Sequence, residues 1–422
     1  MTQEFTSHPP TTMYIDINSC FATIEQQANP LLRGKPVVVA AYRTGNGCIL
    51  AASVEAKQYG MKTGMRVYEA KHICSSLVVL LPDPEKYRYI NERLFTLLQS
   101  YSQRVQIQSI DEMIVHMDET PEFTKNILSG RSAVESMVKI AKEIKERIRE
   151  EIGVWITVSI GIAPNAFLAK TASNLKKPDG LETITESNIE QVLMSLTLTD
   201  LCGIKKGNAA RLLAHGISTP LAMYGTSSDT LQHAFGSIIG RYWWLWLHGW
   251  EVGSVYAEKS HVENKSFSQS CSLTRHTLPK DHATIQVVYQ LVAKMAARFR
   301  GDGFVAYGVI AGASFTDRTF WQKHTKMTTP FYATEDIFFL TQSLFQHAPV
   351  KPIHTVFVGV YDLKANLYAQ LTCDEVELKK IARTQAIDRI YARFGQDAIT
   401  TAVTLEASQK IVDRIAFGKN SL

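Results

Sequence analysis

Two adjacent carboxylates, Asp111 and Glu112, interrupt a stretch that otherwise alternates apolar and polar residues like a half-buried strand, VQIQSIDEMIVHM over residues 105–117. Strands are depleted in acids, and neighbouring side chains on a continuous strand point to opposite faces. Both carboxylates can serve one site only if the chain bends near Ser109 to Glu112, so the stretch reads as strand, tight SIDE turn, strand. Taken alone, it fits a solvated turn with two ordinary surface acids as well. A third acid, Asp16, sits near the end of the apolar run TMYIDI. Crowding three acids without a cation is costly, so the acids and a metal imply each other. Phosphoryl transfer to a hydroxyl is one chemistry that such a set would serve, because two Mg²⁺ roughly 4 Å apart, held by several carboxylates, stabilise the attacking and leaving oxygens.

The elements around these acids predict how they meet. TMYIDI is a short strand, and VVLL (78–81) is another before Pro82. A helix follows from about Glu85 to Gln103, then the SIDE hairpin to Met117. The next helix puts Val134, Met137, Ile140, Ala141, Ile144 and Ile148 on one face and stops at Gly153. VWITVSIGI closes the set as a strand. The order is a split βαβ arrangement with both helices on one face of an antiparallel sheet, and it places Asp16 beside the SIDE hairpin at the sheet centre.

Residues 18–76 carry their own glycine-rich turns, RTGNGC and YGMKTG, and read as a small insertion off the first strand. From Asn165 to about Gly253 the chain is helical in pattern, and from Lys265 to Asp362 a βαββαβ order recurs. After Asp362 the composition turns polar and helical, consistent with a linker and tail.

At 422 residues the chain exceeds one hydrophobic core and divides into roughly three domains. Its 45% hydrophobic content is that of a soluble globular protein. MTQEFTSHPPTTM is not a charged-then-apolar leader, so a cytoplasmic location is expected. YWWLWLHGW (242–250) falls short of the about 20 residues a membrane span needs and reads as a buried helix end. The six cysteines, at 20, 48, 74, 202, 271 and 373, have no metal or disulfide spacing. Of the net charge of +5, residues 259–330 supply +6 with ten Lys and Arg against four Asp and Glu, leaving −1 elsewhere. The basic excess therefore lies in one segment, as expected of a module facing a polyanion, although a solvated basic face has the same composition.

The chain resembles the Y-family (translesion) DNA polymerases, of the bacterial polymerase IV and polymerase V catalytic subunit type, over essentially its whole length. The resemblance rests on an ordered set of motifs: YIDINSCF, NPLLRGKPVVV, AASVEAKQYGMKTGM, QSIDEMIV, VSIGIAPNAFLAKTASNLKKPDG, LCGIKKGNAARL and DRIAFG. It implies an α+β right-hand polymerase. The split-βαβ palm would span 1–17 and 77–164, small fingers 18–76, a helix-hairpin-helix thumb 165–253, a βαββαβ little finger 260–363, and a C-terminal tail 364–422. Asp16, Asp111 and Glu112, with the Ile17 carbonyl, would hold two Mg²⁺ where a primer 3′-hydroxyl attacks the α-phosphate of a dNTP. Phe21 matches the steric gate against a 2′-hydroxyl, its other reading being a core phenylalanine. Lys57 and Lys177 match triphosphate-binding cations, joined by the backbone N–H groups of Cys20 and Phe21. Lys170 and Lys176 read as general DNA contacts or solvated cations. Lys205 and Lys206 of the thumb, and Lys265, Arg275, Arg318, Lys323 and Lys326 of the little finger, would meet DNA phosphates.

The sequence also departs from that family. Ala51 and Val54 stand where many relatives carry triphosphate-binding Thr and Tyr, Lys57 replaces an arginine, and Lys205 replaces the second glycine of the thumb hairpin. AQLTCDEVE keeps Gln370 and Leu371 of a sliding-clamp peptide but has Cys373 and Asp374 for its Leu and Phe. Clamp binding is expected to be weak or absent, and accessory proteins of the SOS type are further candidate partners. Leu50 and Cys48 would lie near the nascent base pair. The resemblance implies error-prone synthesis across damaged DNA by a monomer on primed DNA. A catalytically weak scaffold of the same fold is the alternative, which the retention of all three acids argues against. A nucleotide cyclase would lack its signature glycines and leave the thumb and little finger unexplained.

Overall fold

The computed structural model describes residues 5–118, 120–252, 266–366, 374–395, 398–405, 407 and 411. These residues form two compact units, one within residues 5–252 and one within residues 266–411. In the first unit β1 (Thr12–Ile17), α1 (Cys20–Ala28), β2 (Val37–Ala40), β3 (Ile49–Ala52), α2 (Val54–Gln58), α3 (Val67–Ile73) and β4 (Val78–Leu80) come first. Then follow α4 (Pro84–Gln99), β5 (Val105–Ile107), β6 (Glu112–His116), α5 (Pro121–Leu128), α6 (Ala133–Arg147), β7 (Val158–Ala163), α7 (Ala166–Leu175) and β8 (Leu181–Thr183). Five helices complete it: α8 (Ile189–Met194), α9 (Lys206–Ala214), α10 (Pro220–Tyr224), α11 (Ser228–Phe235) and α12 (Ile239–Leu247).

The main sheet has the order β5-β6-β1-β7-β8, with β1 antiparallel to both neighbours. Every residue of β1 is buried because both faces of the sheet are covered, which explains why apolar residues face both ways along it. Met13, Ile15 and Ile17 point into a core shared with Ile90 and Leu94 of α4 and Met137, Ile140 and Ile144 of α6. Tyr14 points the other way, into a core with Phe167 and Leu168 of α7 and Trp243 and Trp246 of α12. Helix α7 rides directly on β7: a Cβ at Gly161 would lie 2.0 Å from the Ala169 carbonyl oxygen. The ends are set by local chemistry. Asp83 caps α4 ahead of Pro84, and Ser132 with Glu135 forms a capping box on α6.

Four differences from the sequence reading concern placement. The strand at 78–80 is not in the main sheet; it pairs parallel with β2 in a small sheet of order β3-β2-β4. Helix α5 was not foreseen, although Thr120 caps it and Pro121 opens it. Helix α7 and β8, assigned above to the thumb stretch, belong to the main sheet, where β8 pairs parallel with β7. Lastly, the segment after Asp362 is more than a linker and tail. Strand β12 (Ile353–Ala365) extends three residues past Asp362, and α15 (Glu375–Phe394) lies within the second unit.

That second unit runs β9 (Phe267–Ser272), α13 (His282–Gly301), β10 (Phe304–Phe315), β11 (Phe320–Phe331), α14 (Thr334–Phe345), β12 and α15. The expected βαββαβ order is present, with sheet order β11-β10-β12-β9. Val309, Ala311 and Ala313 of β10 and Val356, Val358 and Val360 of β12 face a core with α13 and α14. The alternate residues form the opposite face. There Phe357 and Tyr361 lie over Gly312 and Gly308, where a Cβ would collide with their rings. The Arg300 guanidinium of α13, 4% exposed, holds Asp388 of α15 through two bonds of 2.6 and 2.7 Å.

Candidate active site

The SIDE turn is a hairpin between β5 and β6, stitched to β1 by backbone bonds. Asp16 and Glu112 are direct partners across β1 and β6, and the Ile17 N–H donates to the Asp111 carbonyl at 2.9 Å. The Ser109 hydroxyl donates to Asp111 Oδ1 at 2.6 Å. From the helical side of the sheet, Asn91 of α4 donates to the Ile110 carbonyl at 2.9 Å and so fixes the turn. The bend therefore brings all three acids to one end of adjacent strands, with Asp16, Tyr14 and Glu112 on the α7 face by strand alternation.

Burial dominates the electrostatics. The Asp16 carboxyl is pushed up to about 6, by burial first; Lys177 opposes the shift, and Asp111 and Glu112 add to it. Asp111 is also raised by burial, against the Ser109 hydrogen bond and with help from Glu112. Burial and the two aspartates hold the Cys20 thiol well above its usual range, so it stays neutral. Two lysines answer the negative charge. Lys177 Nζ lies 2.7 Å from Asp16 Oδ2, and Lys170 Nζ lies 2.9 and 3.0 Å from the two Glu112 oxygens. Burial works against the Lys170 charge, but Glu112 outweighs it and raises its pKa. Lys57 of α2 is lowered, first by desolvation of its ammonium and then by Lys177.

The stretch carrying Lys177 is itself braced. The Asp179 N–H donates to Asn18 Oδ1 at 2.8 Å, Asn18 Nδ2 donates to the Ser159 hydroxyl at 2.9 Å, and Lys145 and Arg149 both pair with the Asp179 carboxylate. Asn18, Ser159 and Asp179 thus connect the end of β1 to the lysine beside Asp16.

Among the described residues, no three acidic, histidine or cysteine side chains are gathered as a cation cage. The reason is visible in the ion pairs: Glu112 is drawn to Lys170 and Asp16 to Lys177. The donor set nevertheless fits a hard divalent ion, being three carboxylates with two of them raised by burial and mutual repulsion.

Phe21 and Cys20 stand in the first turn of α1, which Ser19 enters at φ 52°. Phe21 is buried and stacks on Tyr87, ring centroids 4.4 Å apart and planes 7° from parallel. The Tyr87 hydroxyl donates to Glu25, which also pairs with Lys86 at 2.7 Å. Ala51 lies on β3 and Val54 opens α2 behind its Ser53 cap.

The expected phosphate contacts are scattered. Lys205 caps and Lys206 opens α9, both exposed. Arg275 and Arg318 stand in exposed loops at one end of the second unit's sheet. Lys326 lies opposite Gly308 on the aromatic face and pairs with Asp362 at 2.6 Å, whereas Lys323 lies opposite Ala311 on the helix-covered side. Lys265, most of the clamp-like peptide, and DRIAFG lie outside the described residues. Sequence reasoning missed Asn91, Ser109 and the pairing of Lys170. Lys170 is no solvated cation, being 16% exposed, while Lys176 is open to solvent. The signal was present for Asn91, which interrupts the apolar face formed by Tyr87, Ile90, Leu94, Leu97 and Leu98.

Comparison with known proteins agrees with this architecture. A Y-family DNA polymerase chimera, Dbh-Dpo4(243-245)-Dbh, superposes with a TM-score of 0.70 at 22% identity, covering 84% of this chain and 99% of that one. An insertion ternary complex of Dbh DNA polymerase gives 0.56 at 22% identity, with 84% and 99% covered. The fold is thus that of a Y-family DNA polymerase. The impB/mucB/samB family matches residues 15–174 and its C-terminal domain residues 264–373. DNA polymerase IV 1 of Bacillus subtilis (strain 168) is 30% identical over 416 residues, 96% of each chain. DNA polymerase IV of Moorella thermoacetica (strain ATCC 39073 / JCM 9320) is 31% identical over 402 residues, 92% of this chain and 95% of that one. The chain belongs to the impB/mucB/samB family of Y-family translesion polymerases, and it is a DNA-directed DNA polymerase.

Proposed function

We propose that the chain extends a primer across damaged template DNA at the junction of β1 and the SIDE turn. The observation that carries this reading is the pairing of Asp16 with Glu112 across β1 and β6, with Asp111 bonded to Ile17 between them. Asp16, Asp111, Glu112 and the Ile17 carbonyl would hold two Mg²⁺, which when bound supply Lewis-acid stabilisation of the attacking and leaving oxygens. Lys57 and Lys177, with the amides of Cys20 and Phe21, hold the triphosphate; the ion pair of Lys177 with Asp16 supports a cation at that spot. Phe21, backed by the Tyr87 ring, excludes a sugar 2′-hydroxyl by bulk. The loss of two hydroxyl ligands at Ala51 and Val54 is expected to raise the KM for dNTP.

Primed or damaged DNA would be gripped through phosphates by Lys205, Lys206, Lys265, Arg275, Arg318 and Lys326, in a sequence-blind way. Lys323 shares the helix-covered side of its sheet and is left out of this set. We further propose a cytoplasmic monomer with weak or absent clamp binding through Gln370 to Asp374; micromolar binding of that peptide to its own clamp would refute this. Among the described residues no helix is long and apolar enough to cross a membrane. The test is extension of a primer annealed to a template carrying a lesion, with Mg²⁺ and four dNTPs. Full bypass products support the reading, and stalling on lesion-bearing and intact templates alike contradicts it.

A further inference from the structure

Lys170 is the single charged residue of α7, on a helix packed against the sheet. Its ammonium reaches both oxygens of Glu112 at 2.9 and 3.0 Å and the Tyr14 hydroxyl at 2.9 Å, and lies 4.9 Å from the centre of the Tyr14 ring. Three elements, α7, β6 and β1, thus converge on one cation that uses both oxygens of a carboxylate needed elsewhere.

We propose that Lys170 is a positioning residue that competes with the divalent cation for Glu112. A cation cannot approach a carboxylate whose two oxygens both accept from an ammonium without like-charge repulsion in a partly dry site. Cation uptake is therefore coupled to movement of the ammonium off Glu112. The flexible lysine stem permits the movement. Tyr14 supplies the landing place, since its hydroxyl and ring already contact the ammonium. In the metal-free protein Lys170 occupies both Glu112 oxygens, at the cost of cation affinity. The inference rests on the assignment of a divalent cation to Asp16, Asp111 and Glu112.

The experiment is a titration of the full chain with Mn²⁺, free cation being read by electron paramagnetic resonance without DNA or nucleotide. Lys170→Met should lower the Kd about tenfold, equivalent to about 1.4 kcal/mol, and Lys170→Gln provides the same test if the first variant does not fold by circular dichroism. In a Glu112→Gln background the same substitution should change the Kd less than twofold. An unchanged or higher Kd in folded Lys170→Met overturns the competition. A tenfold gain that persists in the Glu112→Gln background also overturns it, because only a long-range field would then be acting. If wild type and Asp111→Asn take up Mn²⁺ alike, the cation assignment itself fails. Loss of uptake in Asp111→Asn alongside an unaltered Lys170→Met keeps that assignment and removes the competition.

Discussion

Replacing Asp16 by Asn should stabilise the metal-free protein while it stops synthesis. The Asp16 carboxyl stands at about 6 in the fold against an ordinary 3.8, chiefly because it is buried with a side chain 13% exposed. A rise of about two units at 1.36 kcal/mol each makes the ionised form destabilising by about 3 kcal/mol at neutral pH. The sign follows from proton binding. Between about 4 and 6 the folded chain holds the proton more tightly than the unfolded one, so this group makes the fold more stable as pH falls through that window. Above it the whole penalty is present. An amide of the same shape carries no charge, and the released Lys177 is 35% exposed and can turn to water. The assay is thermal unfolding in chelator at pH 7 and again at pH 5. The variant should melt higher at pH 7, on the order of 5–10 °C, and the gap should narrow at pH 5. Equal or lower stability at pH 7, or a gap that ignores pH, would refute the reasoning. An acid that weakens the empty fold yet is required for activity is the usual opposition of stability and function.

Other expectations concern the frame. Asn91→Leu removes the donor to the Ile110 carbonyl, leaving a buried acceptor unmet at about 1–3 kcal/mol; kcat should fall at least tenfold with little change in DNA affinity, measured by single-nucleotide incorporation. Gly161→Ala drives a methyl into the Ala169 carbonyl and should cost on the order of 3 kcal/mol, read by denaturant unfolding. Asp388→Asn strips the charge partner from a buried guanidinium and should cost roughly 3 kcal/mol, with hydrogen exchange rising first across residues 375–394. Phe21→Val should admit ribonucleotides, lowering the dNTP-over-rNTP ratio of kcat/KM by at least tenfold, while a ratio left unchanged would exclude Phe21 as the sugar gate.

The bend was legible because two adjacent carboxylates in an alternating strand can serve one site only if the chain turns between them, and the β5–β6 hairpin beside β1 has that turn. The βαββαβ order of the second unit was legible for the ordinary reason that its strands alternate and its helices do not. What stayed hidden depended on partners distant in the chain. VVLL bears no mark of the sheet it joins, and its parallel pairing with β2 is decided by the crossover between them. Lys170 reads as a solvated cation until the packing of α7 buries it, and only then must it find Glu112. Arg300 counted toward the basic segment, yet it is buried and satisfied by Asp388, Tyr332 and Thr334. A charge count cannot separate such a residue from one that faces a polyanion.

Nucleotidyl transfer by the acids at the β1–SIDE junction has a direct test. Single-turnover incorporation of one dNTP on primed DNA, with Mg²⁺, tests it for wild type and Asp111→Asn, DNA binding being measured in parallel. Wild type should extend the primer, and Asp111→Asn should lose at least a thousandfold in rate while binding DNA as before. A wild-type chain that binds primed DNA and does not extend it, or an Asp111→Asn chain that extends it at the wild-type rate, would exclude these acids as the site of nucleotidyl transfer.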